Sequence, residues 1–206
     1  MVRKTKEETE KTRISLLESA LTVFSEKGFV RSTLNDIARQ AGVSRGAIYW
    51  HFKDKVDLFE ALSLYIEDCS GFHSEDLLEE AFNSLDDIGR KLLDWLNKLN
   101  SDQRFRTYYD FINFKIEYHA ELDPVLARQR EVKRLLLQRF MADYTRMQEQ
   151  GTMRMDIKPQ QAALMTLFFF HGLVEIWLFD PELFSLSNDA PGMIGQFLNS
   201  FALQPK

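Results

Sequence analysis

Apolar residues recur along this chain at the three- and four-residue spacing of an amphipathic helix, from the first periodic segment almost to the last residue. Ile14, Leu17, Leu21 and Phe24 share one face of the first segment, and Gly28 is placed to end it. Thr33 then precedes Leu34, Ile37, Ala38 and Ala41, with Asp36 three residues after it, where the second half of a capping box belongs. Gly42 interrupts the pattern, and Ser44 is placed to cap a third segment from Arg45 to about His51. A fourth begins after Asp54, with Val56, Leu58, Phe59, Leu62 and Ile66 on its apolar faces, through to about Phe72. Five further helical patterns follow, at about 75–100, 102–120, 123–149, 160–180 and 189–202, and no strand-like alternation competes with them. The pattern predicts an all-α fold, with an N-terminal three-helix domain at 1–54 and a larger helical domain at 55–206.

Residues 162–179 are apolar almost all round, which requires burial on several sides. A membrane span is disfavoured: His171 and Glu175 lie inside the segment, and an acid near the centre of a span costs about 2.5–3.5 kcal/mol. The better reading pairs this helix with the last one, whose Met193, Ile194, Phe197, Leu198 and Phe201 form a second stripe, and no membrane partner is expected.

Composition narrows the classes. Hydrophobic residues make up 45% of the 206, with 17 phenylalanines, enough for a substantial core. A single cysteine, Cys69, and four scattered histidines exclude a disulfide framework and a multi-cysteine zinc site, and the charged first residues do not read as a signal peptide. Those features predict a cytoplasmic protein with no cofactor, no metal and no catalytic residues.

The formal net charge is −5, at odds with binding a polyanion, but the charge is unevenly distributed. Residues 1–55 hold eleven Lys and Arg against seven acids, an excess of four, which leaves −9 for the rest. That split suggests a nucleic-acid-facing end attached to an acidic body.

The chemistry of the positive end agrees. Within Thr33 to Lys55, Ala38 is small where two helices must approach, Gly42 is suited to a positive φ in a tight turn, and Ile48 points to the core, as a helix-turn-helix requires. The third helix then presents Arg45, Gly46, Tyr49, Trp50 and His51, with Lys53 and Lys55 beyond. An arginine at that end can donate two hydrogen bonds to guanine, and Gly46 allows close backbone approach to the groove. The hydroxyls of Thr33 and Tyr49, with His51 and Lys55, suit phosphates. For Trp50 core packing is weighed slightly ahead of DNA contact, His51 is balanced between a cap and a phosphate contact, and Lys53 is read as solvated. The candidate DNA-binding residues are thus Thr33, Ser44, Arg45, Gly46, Tyr49, Trp50, His51 and Lys55, on double-stranded operator DNA.

The stretch TLNDIARQAGVSRGAIYWHFKDKVDLF, preceded by TRISLLESALTVFSEKGF, closely resembles the N-terminal domain of the TetR family of bacterial repressors. FKIEYHAELDPVLARQREV and GLVEIWLFDPELFSL are similar, more loosely, to the AcrR-type subgroup that represses multidrug efflux pumps. The resemblance implies a homodimer of nine-helix subunits, three helices for DNA and six for ligand binding and dimerisation. It places the dimer interface on the helices at 160–180 and 189–202 and a ligand cavity near the aromatic stretch that holds Phe105, Tyr108, Phe111, Phe114 and Tyr118. Two copies also make physical sense, because recognition helices about 34 Å apart match one turn of DNA.

Acids on apolar faces need partners, and Glu67, Glu117 and Glu175 qualify, whether for a nearby Lys or Arg or for a cationic drug. With Phe111, Phe114, Gln129 and Phe168 they form the candidate contact set for a small hydrophobic or cationic effector. The expected function is a ligand-released repressor of a multidrug efflux pump. The alternatives are a repressor of a metabolic operon induced by a fatty acid or other metabolite and, remotely, an all-helical isoprenoid-type enzyme suggested by the Asp86 and Asp87 pair.

Overall fold

The computed structural model describes residues 5–71, 73, 78, 81–117 and 119–203. Among them are nine α-helices and no strand, only one isolated bridge between Met153 and Ala202. The helices are α1 (Lys6–Lys27), α2 (Leu34–Gln40), α3 (Arg45–His51), α4 (Lys55–Ser70), α5 (Leu85–Ser101), α6 (Gln103–Asp110), α7 (Asp123–Glu149), α8 (Pro159–Phe179) and α9 (Ala190–Asn199). Short π and 3-10 turns at Phe111–Lys115 and Ala120–Leu122 link α6 to α7.

The early boundaries follow local chemistry. Thr5 and Glu8 form a capping box at α1, Thr33 and Asp36 form one at α2, and the side chains of Ser44 and Asp54 accept from Ala47 and Asp57 amides at α3 and α4. Gly28 ends α1 at φ 77° and ψ 168°, a region essentially reserved for glycine. A Cβ there would also lie 3.4 Å from the Lys115 carbonyl oxygen. Gly42 takes the expected positive φ, 67°, in the turn between α2 and α3.

Two boundaries differ from expectation. The helix foreseen from about 75 starts at Leu85, because Ser84 caps it by accepting from the Asp87 amide; most of 75–80 lies outside the described residues, as do Tyr118 and Phe72. The helix foreseen over 102–120 departs from α geometry at Phe111 and ends at Lys115, with Ile116 extended. In that turn Asn113 bonds back to the Tyr109 carbonyl at 2.7 Å and Lys115 pairs with Asp110 at 2.7 Å.

The chain packs as two compact units, one from within Met1–Gly71 and Arg104–Ala127, the other from within Phe72–Gln103 and Arg128–Lys206. Packing therefore groups α4 with α1–α3, a different partition from the domain boundary expected at 54/55. In the first unit Phe24, Phe29, Phe59 and Phe111 form a closed aromatic cluster with ring centroids 5.4–6.0 Å apart. All four rings are fully buried, so they hold α1, α4 and the π turn together. In the second, α5, α7, α8 and α9 enclose a core in which Trp95 meets Phe170 edge-on and Phe169 stacks on Phe197 at 4.2 Å.

Candidate nucleic-acid interface

Helix α3 is seven residues long, and only Ile48 on it is buried. Arg45, Gly46, Tyr49 and Trp50, next to the Ser44 cap, face solvent, while Ala47 and His51 are half-buried. Arg45 and Gly46 are exposed, Tyr49 is 49% exposed, and the Arg45 guanidinium lies 5.7 Å from the Tyr49 ring centre. That contact holds the arginine and tyrosine side by side on one face, a cation over a ring. Trp50 is 72% exposed, which corrects the leaning toward core packing: Ile48 and Phe52 supply the inward anchors, and the indole meets the His51 ring, edge-on at 4.8 Å. His51 is half-buried between Trp50 and Phe52.

Two residues expected on phosphates have other partners. The Thr33 hydroxyl donates to the Asp36 carboxylate at 2.7 Å and accepts from the Asp36 amide at 3.1 Å, so its one proton serves the cap. Asp36 is also bonded to Lys27 at 3.0 Å and Arg39 at 3.2 Å, and the Thr33 hydroxyl, with Lys27, brings its pKa down to about 2. The Lys55 ammonium is turned inward: it donates to the carbonyls of Phe29 at 2.8 Å and Ser32 at 3.2 Å, reaches that of Val30 at 3.4 Å, and lies 4.3 Å above the Phe29 ring. Burial lowers its pKa, opposed by Glu121 and Glu117. Lys55 therefore ties the start of α4 to the segment between α1 and α2. Nothing in the local sequence signals this, because three carbonyls converge on it from 23 to 26 residues away.

The expected effector residues are divided between the two units. Glu67, half-buried on α4, belongs to the first unit with Phe111, Phe114 and Glu117; Phe111 is core, and Glu117 lies on the surface beside Gly28. Gln129, Phe168 and Glu175 belong to the second, where Phe168 is 69% exposed and Glu175 faces solvent on α8. The second unit instead holds an apolar cavity of about 70 Å³, walled mainly by Phe82, Ile88, Leu92, Trp95, Phe140 and Phe170, with Lys91 and Thr166 also in its lining. None of the seven candidates lines it. The wall is drawn from α5, α7 and α8 and from Phe82 just ahead of α5, so no single stretch of sequence carries its signature. Thr166 donates to the Ala162 carbonyl at 2.9 Å and meets the Tyr144 hydroxyl at 2.6 Å, where burial pushes the Tyr144 pKa up.

The Asp86 and Asp87 pair offers no metal-diphosphate site. Asp86 is exposed, while Asp87 sits in the α5 cap, bonded to Ser84, the Asn83 amide and Arg90, and its pKa is lowered chiefly by the Ser84 bond.

Comparison with known proteins covers most of the chain. Residues 16–62 match the model of bacterial regulatory proteins of the tetR family, and residues 83–203 match that of the C-terminal region of MAATS-type transcriptional repressors. The chain is 32% identical along its whole length to the HTH-type transcriptional regulator AcrR of Shigella flexneri, of which it covers 96%. Among solved structures it is similar to NalD, the secondary repressor of the MexAB-OprM multidrug efflux pump in Pseudomonas aeruginosa, with a TM-score of 0.85 at 26% identity over 97% of this chain and 100% of NalD. It is similar too to SmeT, the repressor of a Stenotrophomonas maltophilia multidrug efflux pump, in complex with triclosan, with a TM-score of 0.78 at 25% identity over 94% of this chain and 93% of SmeT.

Proposed function

The chain belongs to the TetR family of bacterial regulatory proteins and is a DNA-binding transcriptional repressor rather than an enzyme, and from that premise we propose that it represses a multidrug efflux pump and is released by a small hydrophobic effector. The observation that carries the efflux reading is the full-length likeness to NalD, a repressor of such a pump. Regulators of this family bind operator DNA as dimers. We place the recognition surface on α3, where Arg45 reads a base edge, Tyr49, Trp50 and His51 contact the backbone or the groove, and Gly46 permits close approach. Ser44 and Thr33 support it as caps, and Lys55 as an inward anchor. The protein works where its DNA is, in the cytoplasm.

The dimer surface is assigned to α8 and α9. Met165, Phe168, Ile176 and Phe179 lie exposed along one side of α8, and Met193 is exposed on α9. A contiguous apolar stripe of this kind marks a protein contact. It also gives the apolar helix a reason to exist outside a membrane, although by length and composition α8 could cross one. Phe168 and Glu175 are accordingly read as interface residues.

The effector site is assigned to the cavity among α5, α7 and α8. At about 70 Å³ it is well below the roughly 300–1,000 Å³ of a drug-binding pocket, so it must widen to admit a ligand. That suits a switch: a molecule that binds only the widened state shifts the population toward it. Retardation of DNA from the region of the chain's own gene and neighbouring transport genes, repeated with triclosan and other hydrophobic drugs, tests the reading. Salt-sensitive retardation that the drugs abolish supports it; retardation unaffected by any of them at saturating binding refutes effector release.

A further inference from the structure

Helix α3 carries its side chains in rows. With about 100° per residue and the wholly buried Ile48 as the inward direction, Arg45 and Tyr49 stand about 60–100° to one side, and Ala47 and His51 about 60–100° to the other. Gly46 and Trp50 are left within about 20° of straight outward, four residues apart on one row. Exposure follows the same order: Ala47 and His51 are half-buried, and Trp50 is more exposed than Tyr49.

The fold itself does not require Gly46. Its φ is not positive, and a Cβ there would meet nothing nearer than the Ser44 Oγ at 4.0 Å, an ordinary contact. Alanine fits that space and is the better helix former. The outermost row of α3 is therefore bare backbone followed, one turn later, by an exposed indole.

A helix laid in the major groove turns its outermost row to the base edges and its flanks to the walls, where the phosphates run. The Tyr49 hydroxyl and His51 stand on the flanks, and the long Arg45 side chain can reach inward from its own. The central row offers the groove floor mainly apolar surface, with room beside it at Gly46. Of the groups that base edges present there, the thymine 5-methyl is the apolar one.

We propose that Gly46 and Trp50 together read thymine: its 5-methyl group packs on the indole and into the space at Gly46, which fixes a thymine in each half-site of the operator. This rests on the reading of α3 as the recognition surface.

The test compares thymine with uracil, which lacks the methyl group and keeps every hydrogen-bonding atom. The full-length protein enriches its sites from a randomised duplex library, and the enriched DNA is amplified with dTTP or with dUTP. Burying one methyl group is worth about fourfold in affinity, so the two half-sites should favour the thymine form by about tenfold or more. Both residues are exposed, so replacing them leaves the core intact. Trp50→Ala is expected to abolish the preference and Gly46→Ala, which fills the space, to reduce it. Trp50→Phe keeps an apolar ring without the indole N–H and should retain most of it, while Arg45→Ala should weaken both forms and leave their ratio unchanged. A preference that Trp50→Ala leaves intact overturns the proposal, by placing the methyl contact elsewhere. One lost as fully in Trp50→Phe as in Trp50→Ala overturns it too, in favour of the indole N–H. Failure to enrich any site refutes recognition by α3 and this proposal with it, whereas enriched, salt-sensitive binding that is equal for thymine and uracil refutes this proposal alone.

Discussion

The Lys55 ammonium donates to the Phe29 carbonyl at 2.8 Å and sits 4.3 Å above the Phe29 ring, so one side chain at the start of α4 holds the segment that follows α1 by both its backbone and its side chain. Only 16% of that lysine side chain is exposed. Lys55→Met leaves those carbonyls without their charged donor and is expected to destabilise the protein by about 1.5–3 kcal/mol. Operator affinity should fall while the dependence of log affinity on log salt keeps its slope. A slope reduced by about one in the variant would instead assign Lys55 to a phosphate. Thermal unfolding and binding isotherms at three salt concentrations distinguish the two.

Arg45 and Tyr49 share a face and a cation–π contact of 5.7 Å, so their contributions to DNA binding should be coupled. Arg45→Ala is expected to cost about 1–3 kcal/mol on the operator and less on random DNA, which relaxes base preference. Tyr49→Ala should weaken both kinds of DNA, and in the double variant the two losses should sum to more than the combined effect. Strict additivity, or equal losses on operator and random DNA for Arg45→Ala, contradicts the assignment.

The contrast between these two sites explains what could be read from the chain without a structure. The caps Thr33, Ser44 and Asp54, the capping acid Asp36 and the turn at Gly42 are all settled within four residues of their partners, so residue type and spacing suffice. The inward-facing Ile48 follows from the same periodicity. Lys55 could not be read, because its acceptors lie more than 20 residues away and lysine is ordinarily a surface residue. Trp50 failed in the opposite sense: a large apolar ring suggests burial, but Ile48 and Phe52 already fill the inward positions. The cavity was illegible for a third reason. Helices α5, α7 and α8 are each amphipathic or apolar in themselves, and only their convergence leaves a gap between Trp95, Phe140 and Phe170.

Asp36 ties folding to pH. Its pKa in the folded chain, about 2 against an ordinary 3.8, means the folded state favours its ionised form, first through the Thr33 hydroxyl and then through Lys27. The stabilisation is therefore fully present above about pH 4 and is lost as pH falls from there toward 2. Asp36→Asn should lower the urea midpoint at pH 7, and its difference from the unaltered protein should shrink across that acid window. A difference that stays constant from pH 7 to pH 2 would show that the carboxylate charge contributes nothing.

Gly28 joins α1 to the rest of its unit through a backbone conformation only glycine adopts readily, at φ 77° and ψ 168°, with the Lys115 carbonyl 3.4 Å from where a Cβ would stand. Gly28→Ala is expected to cost about 1–3 kcal/mol, which for a chain of this size lowers the melting temperature by several degrees. Gly42→Ala provides the comparison: its φ is also positive, 67°, but nothing lies within 4 Å of its would-be Cβ, so its loss should be smaller. Losses in the reverse order would mean that the contact with the Lys115 carbonyl relaxes freely.

Phe168 tests the assembly. It is 69% exposed in the single chain and lies on the same side of α8 as Met165, 45% exposed, and Ile176, 52% exposed. Burying such a ring against a second copy is worth roughly 1.5–3 kcal/mol per subunit, and a symmetric interface counts the residue twice. Phe168→Asp places two carboxylates in that contact and should give a folded monomer by light scattering. The monomer keeps an intact α3 but presents one recognition helix instead of two, so operator binding should fall toward its random-DNA level. If the variant stays dimeric, α8 is not the dimer surface; if it becomes monomeric yet binds operator with undiminished specificity, a single α3 reads the whole site.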